Sequence, residues 1–272
     1  MNMSDSQPTT LNIERDGRGV AMIALNRPEV HNAFDETMIR EVIEAFRDLG
    51  ADDSVRVIVI AATGKSFCAG ADLNWMKRAS EYDEDQNRED AGELALMLNA
   101  IYACPKPVIA RVHGNAFGGG VGVVAAADIA IGVADVLFSL SEVKLGIIPA
   151  VISPYVIEAI GARYAHRYFI SAERFTGAEA YRIGLLHDLC SSVDAMDEQI
   201  AALCESLLAN GPKAIEAAKN LIQAVSQKSI DDELMEDTIE RIAQIRSTPE
   251  AKEGITAFLE KRKPSWLMRN KE

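Results

Sequence analysis

A run of glycine in mid-chain constrains this sequence more than any other feature. Gly114-Asn115-Ala116-Phe117-Gly118-Gly119-Gly120-Val121-Gly122 follows the apolar run Pro107–Val112 and leads into Val123–Ala127, closed by Asp128. A β-branched run, then glycines, then an alanine-rich segment reads as strand, tight turn and the start of a buried helix. Each glycine weakens regular structure by about 1 kcal/mol relative to alanine, so something here requires a bare backbone. One reason is a ligand oxygen approaching peptide N–H groups at a helix N-terminus, where unpaired donors and the positive end of the dipole converge. The other is a helix packed so closely on a sheet that only glycine fits. The run alone leaves both open.

At 272 residues and 48% hydrophobic content the chain can bury a sizeable core, and one domain with an appendage is expected. Its 28 basic and 41 acidic residues argue against nucleic-acid binding, which needs a dense basic surface; a small anion needs only a few local cations. Cys68, Cys104, Cys190 and Cys204 are far apart, and His31, His113, His166 and His187 equally so. Reduced thiols in a cytoplasmic protein are expected, with no metal site. Met1–Thr10 is short and polar, which reads as a flexible tail and not a signal. Between Asn115 and Ala134 only Asp128 is charged, but five glycines favour a buried helix and strand over a membrane span.

Val20–Leu25 reads as a buried strand, and Asp35 as the N-cap of a helix with Met38, Ile39, Val42, Ile43 and Phe46 on one face, stopped at Gly50. Val55–Ala61 is the next strand, and the order points to a right-handed βαβ crossover in a mainly parallel sheet. A second small-residue turn, Gly64–Leu73, leads into an apolar helix with Trp75 and Met76. Glu81–Glu93, with seven acids and one Arg, reads as a solvated, mobile segment before helical spacing resumes over Leu94–Tyr102. Ile129–Ile131 and Val136–Phe138 are strand-like, and Glu142 follows the second of them. From Ser153 the pattern is helical over Tyr155–Ile160, Ala162–Phe169, Ala178–Ile183, Met196–Ala209, Pro212–Ala224, Ile230–Arg246 and Thr248–Lys261, with a short strand in His187–Val193.

Two Gly/Ala turns, each opening a helix, can each direct one backbone N–H at the same oxygen, as in an oxyanion hole. Glu142, at another strand end, is placed to join them where loops of an α/β sheet converge. No Ser, Cys or Lys nucleophile sits beside a base in any motif, so the set suggests enolate chemistry by proton transfer.

Four ordered motifs carry a resemblance: Leu25-Asn26-Arg27-Pro28 with Asn32-Ala33; Phe67–Leu73; Gly114 with Gly118-Gly119-Gly120; and Ser141–Pro149. Together they resemble the enoyl-CoA hydratase/isomerase (crotonase) superfamily, from about Leu11 to Lys263. The resemblance implies an α/β crotonase fold of repeated ββα units, with a core over residues 11–205 and a helical C-terminal oligomerisation region over 206–272 that forms trimers or hexamers. It implies that Ala71 and Gly119 N–H groups form an oxyanion hole for a thioester oxygen, and that Glu142 is one of two hydratase glutamates. Ala69 matches a backbone contact to the adenine-bearing part of coenzyme A, Asp72, Leu73 and Asn74 fall at the same binding mouth, and Lys261 matches a basic residue near the CoA head. No cofactor is implied beyond the coenzyme A carried by the substrate, and neither nucleic acid nor membrane is implied as a partner.

One departure matters. The second hydratase glutamate falls at Gly122 in this chain. Ala150-Val151-Ile152-Ser153-Pro154, with Leu73–Met76 and Ser139–Glu142, resembles the bacterial methylglutaconyl-CoA and γ-carboxygeranoyl-CoA hydratase branch, which serves leucine and acyclic terpene breakdown. The expectation is hydration of a carboxylated, branched enoyl-CoA. Alternatives are a single-glutamate isomerase that shifts a 3-enoyl to a 2-enoyl thioester, and a non-catalytic binding protein on the same fold. Lys77, Arg78 and Lys144 are candidates to hold a substrate carboxylate.

Overall fold

The computed structural model describes residues 9–267. The tail expected over residues 1–8 lies outside the described residues, as does 268–272 at the end of the C-terminal region. Thr9 and Thr10 are tied to the Glu41 carboxylate through their N–H and hydroxyl groups at 2.6–3.0 Å.

Apolar runs become strands. β1 (Leu11–Arg15) pairs antiparallel with β2 (Val20–Leu25). Asp35 caps α1 (Glu36–Ala51) by accepting the Met38 N–H at 2.8 Å, and the expected stripe of Met38, Ile39, Val42 and Phe46 is buried. The chain continues through β3 (Val57–Ala62), β4 (Ser66–Cys68), α2 (Leu73–Ala79), α3 (Glu84–Tyr102), β5 (Val108–Val112), β6 (Asn115–Phe117), α4 (Gly119–Ala126), β7 (Ile129–Val133) and β8 (Leu137–Ser139). Then come α5 (Ser153–Ser171), β9 (Phe175–Thr176), α6 (Gly177–Ile183), β10 (Asp188–Cys190), α7 (Val193–Leu208), α8 (Pro212–Val225), α9 (Asp232–Ser247) and α10 (Pro249–Leu259).

The topology repeats a simple rule. A long strand joins a six-stranded sheet of order β1-β2-β3-β5-β7-β10, and the short strand after it joins a second sheet of order β4-β6-β8-β9. Apart from β1–β2 and β8–β9 the pairings are parallel. This is the α/β arrangement of repeated strand pairs and helices expected from the motifs. Its central strands are buried on both faces, as the unbroken Val-Ile-Val-Ile of β3 requires.

Several local expectations need correction. The acidic stretch 81–93 is helical from Glu84, not mobile, because Asp83 and Gln86 form a reciprocal capping box and the acids of the first turn face the positive end of the helix dipole. The glycine-rich turn contains a strand, β6, which net hydrophobicity could not reveal in three residues. Gly50 lies inside α1, which runs one residue further. The gap left between Ile160 and Ala162 is real: Gly161, at φ 70° and ψ 157°, breaks α5.

The four cysteines are buried and unpaired. No helix among the described residues is long and apolar enough to cross a membrane; the nearly uncharged stretch from Asn115 is divided among β6, α4 and β7. In the C-terminal helices, α8 is anchored by Lys219, whose Nζ donates to Asp128 at 2.6 Å and to the Lys106 carbonyl at 3.0 Å. Elsewhere α8–α10 leave Ile222, Met235, Ile239, Ile242, Phe258 and Leu259 exposed.

Candidate functional site

The second sheet sets the site. β4, β6 and β8 are parallel neighbours, with Cys68 beside Ala116 and Phe117 beside Ser139. Their C-terminal ends therefore lie side by side, and Ala71, Gly119 and Glu142 each follow one of them by two or three residues. Three residues far apart in sequence meet because three short strands stop together, the place where open α/β sheets bind ligands.

The contacts bear this out. A Cβ built on Gly118 would lie 3.3 Å from Glu142 Oε1 and 3.9 Å from Gly70 Cα, so both glycine turns and the carboxylate converge on one point. Gly118 has φ +50° and Gly70 φ +92°, both in the left-handed region that a side chain disfavours.

Each turn leaves an N–H without an acceptor among the described residues. Phe34 N–H donates to the Gly70 carbonyl at 2.7 Å, and Asp72 N–H donates to the Phe34 carbonyl at 2.8 Å. In this parallel bridge the groups flanking Ala71 face Phe34, so the N–H of Ala71 faces the other way. Gly119 is the first residue of α4, where N–H groups have no intrahelical partner. A Cβ on Gly119 would sit 3.3 Å from the Phe34 ring. Phe34 thus supports both turns.

Glu142 opens a single 3-10 turn, Glu142–Leu145, after β8. It is half-buried, its Oε2 is buried with no hydrogen-bond partner, and desolvation pushes its carboxyl above the usual carboxylate range. Such a carboxylate accepts a proton more readily than a solvated one does, as a general base must.

The other expected residues divide. Ala69 spends its N–H on the His31 carbonyl at 3.0 Å. Asp72 is 4% exposed, and its carboxylate is spent inside the chain: Oδ1 accepts the Asn74 and Trp75 N–H groups, and Oδ2 accepts from Arg27. Leu73, 79% exposed, and Asn74 open α2 beside the turn. Trp75 is core, its indole N–H donating to Asp90 at 2.7 Å. Lys261 follows the C-cap of α10, its N–H donating to the Phe258 carbonyl at 3.2 Å, and no hydrogen bond or ion pair joins it to the turns among the described residues. Arg78 is occupied by Glu36 at 2.6 and 2.7 Å, whereas Lys77 and Lys144 are exposed without an ion partner among the described residues.

The position of the missing glutamate is full. A Cβ on Gly122 would lie 2.4 Å from Ile152 Cγ2 and 2.9 Å from Ile152 Cβ, and Ile152 is 2% exposed. Sequence reading found the departure at Gly122 but not its complement, since nothing in Ala150–Pro154 says which glycine Ile152 will face.

A cleft of about 590 Å³ lies elsewhere, between β1–β3 and α7. Two of its arginines are already matched, Arg15 by Asp52 and Arg111 by Asp197, and it includes none of the three convergent turns. Geometry favours the turns as the functional site.

Comparison with known proteins identifies the family. The family described as enoyl-CoA hydratase/isomerase matches residues 15–269. A crystal structure of an enoyl-CoA hydratase from Shewanella pealeana is 42% identical and superposes with a TM-score of 0.92, covering 96% of this chain and 97% of the other. An enoyl-CoA hydratase from Alternaria alternata is 32% identical over 88% of this chain and 78% of its own length. A mitochondrial Δ(3,5)-Δ(2,4)-dienoyl-CoA isomerase from Mus musculus is 31% identical over 85% of this chain and 74% of its own length. Relatives named for hydration and for isomerisation thus align over most of the same residues.

Proposed function

Because the chain belongs to the enoyl-CoA hydratase/isomerase family, we propose that it hydrates a carboxylated, branched enoyl-CoA of the 3-methylglutaconyl or γ-carboxygeranoyl type, with Glu142 as its one acid–base group. The observation that carries this reading is the convergence of two acceptor-free N–H groups with a half-buried carboxylate whose Oε2 is unpartnered. A thioester oxygen held by Ala71 and Gly119 N–H gains stabilisation as negative charge develops on it, an effect worth about 3–4 kcal/mol for a single donor of this kind.

In the proposed reaction the water oxygen bonds to the β-carbon while Glu142 takes its proton. The C=C electron pair moves toward the α-carbon and thioester, giving enolate character against the two N–H groups. Glu142 then returns the proton to the α-carbon, so one water is added and the carboxylate is regenerated. Coenzyme A enters as part of the substrate, and no further cofactor takes part. Ala69, Leu73 and Asn74 line the CoA mouth, with Asp72 shaping it through the α2 cap. Lys77 and Lys144 are the candidates for the substrate's second carboxylate.

A second reading has a specific observation behind it. Ile152 fills the place of a second glutamate, and a single carboxylate suffices to move a proton between the two allylic carbons of a 3-enoyl thioester. Offering 3-methylglutaconyl-CoA, crotonyl-CoA and a 3-enoyl-CoA in parallel separates the readings: hydration abolishes the conjugated-thioester absorbance, and isomerisation creates it. Fast loss with 3-methylglutaconyl-CoA supports the proposal, gain with the 3-enoyl substrate alone supports the second reading, and no turnover refutes both. Assembly through the exposed apolar side chains of α8–α10 into a trimer or hexamer, Lys261 near the CoA head, and a cytoplasmic location in leucine or terpene breakdown belong to the same proposal.

A further inference from the structure

The motif Leu25-Asn26-Arg27-Pro28 takes no part in the chemistry above, yet its arginine is packed against the turn that carries Ala71. The Arg27 side chain is 18% exposed. Its Nη2 donates to Asp72 Oδ2 at 3.0 Å, and its Nη1 donates to the Ala33 carbonyl at 2.7 Å and lies 3.1 Å from Asp35 Oδ2. The backbone N–H of Arg27 donates to Asn32 Oδ1 at 2.8 Å, which fixes the loop that presents it.

Both carboxylates are helix caps. Asp35 Oδ1 accepts the Met38 N–H of α1, and Asp72 Oδ1 accepts the Asn74 and Trp75 N–H groups of α2. Each cap spends one oxygen on its own helix and offers the other to Arg27, so one guanidinium ties two helix starts together. Between those caps runs the bridge in which Phe34 holds the Gly70 carbonyl and the Asp72 N–H. Arg27 grips both sides of that bridge: Ala33 and Asp35, which flank Phe34, and Asp72 itself. The same Phe34 ring lies against Gly119. A shift of the 33–35 segment therefore disturbs both N–H groups.

We propose that Arg27 is a positioning residue that fixes α2's first turn against Phe34, so that the Ala71 N–H stays aimed at the thioester oxygen. The inference rests on the reading of Ala71 and Gly119 as the thioester site. A planar fork is needed, because its nitrogens reach Asp72 on one side and Ala33 with Asp35 on the other; a lysine ammonium keeps the charge but is a single point.

The test compares wild type with Arg27→Lys and Arg27→Met, using kcat and KM on the preferred enoyl-CoA and the infrared carbonyl stretch of bound, unreactive butyryl-CoA carrying ¹³C in the thioester carbonyl. Hydrogen bonds from the two N–H groups lower that stretch relative to free butyryl-CoA. The expected result is a kcat loss of about tenfold in Arg27→Lys and about a hundredfold in Arg27→Met, with KM within about threefold, because misaimed donors act mainly on the transition state. The downshift shrinks in the same order. Arg27→Lys decides the matter where Arg27→Met does not fold. A folded variant that keeps both its downshift and its kcat within about twofold overturns the inference while the thioester reading stands. Absence of any downshift in the wild type overturns both.

Discussion

Gly122→Glu, the change that restores a second carboxylate, is expected to fail unless Ile152 is also cut back. The reason is steric before it is electrostatic. The first side-chain atom alone would lie 2.4 Å from Ile152 Cγ2 and 2.9 Å from its Cβ, and the latter cannot move without the backbone of the α5 N-terminus. Overpacking of this kind costs about 1–3 kcal/mol, and a carboxylate buried without a partner adds at least about 1 kcal/mol. A total near 3 kcal/mol corresponds to a fall in Tm of roughly 6–12 °C for a chain of this size. Ile152→Ala alone empties part of a core position and costs about 2–4 kcal/mol. If the two sites contest one space, the double variant loses less than the sum of the singles by at least about 1 kcal/mol. Urea denaturation followed by circular dichroism, at one fixed protein concentration, measures all four corners of this cycle. Additive losses within about 0.5 kcal/mol, or a Gly122→Glu variant as stable as wild type, would refute the claim that Ile152 fills the missing glutamate's place.

Burial raises the Glu142 carboxyl, so between its unfolded and folded titrations the folded chain holds more protons and stability falls as pH rises. Glu142→Gln should thus be more stable than wild type at pH 7, with the difference vanishing in acid below the ordinary glutamate range; an unchanged stability difference across that range contradicts the desolvation. For the same reason kcat/KM should decline on the acid side at a pH above that of an ordinary carboxylate, as a pH–rate profile will register. Lys219→Met removes the partner of Asp128 in a largely buried pair, 11% and 28% exposed, and should cost about 2–3 kcal/mol in urea denaturation, against less than 0.5 kcal/mol if α8 is held by packing alone. Gly120→Ala would put a Cβ 2.6 Å from the Cys68 carbonyl oxygen and 2.8 Å from its Cβ, forcing β4 from α4. It should lower kcat by at least about tenfold and destabilise by about 1–3 kcal/mol, in the same activity and denaturation assays.

Much of the site was readable because glycine announces backbone requirements. Gly118 and Gly119 each meet a requirement of the backbone: Gly118 keeps a left-handed turn beside Glu142, and a side chain on Gly119 would press on the Phe34 ring. Gly120 and Gly122 belong to close packing alone, against Cys68 and Ile152. Less readable was what brings Glu142 to the turns, because β4, β6 and β8 are only three residues each and carry no periodicity of their own. The motif places Asp72 among the binding residues, whereas its carboxylate caps α2 and meets Arg27. Composition misled at 81–93, where a capping box outweighs the acidic run. The helical C-terminal pattern was plain, but the exposed Ile239, Ile242 and Phe258 appear only once the faces of α9 and α10 are known.

The central claim is that Glu142 alone moves the proton while two backbone N–H groups hold the thioester. Glu142→Gln keeps the shape and removes the base, so the most direct measurement is its kcat on the substrate the wild type turns over fastest, with binding of the same thioester measured alongside. The account predicts a fall of about a thousandfold in kcat with binding changed by less than about threefold. A folded Glu142→Gln enzyme that keeps kcat within about tenfold of wild type would contradict it.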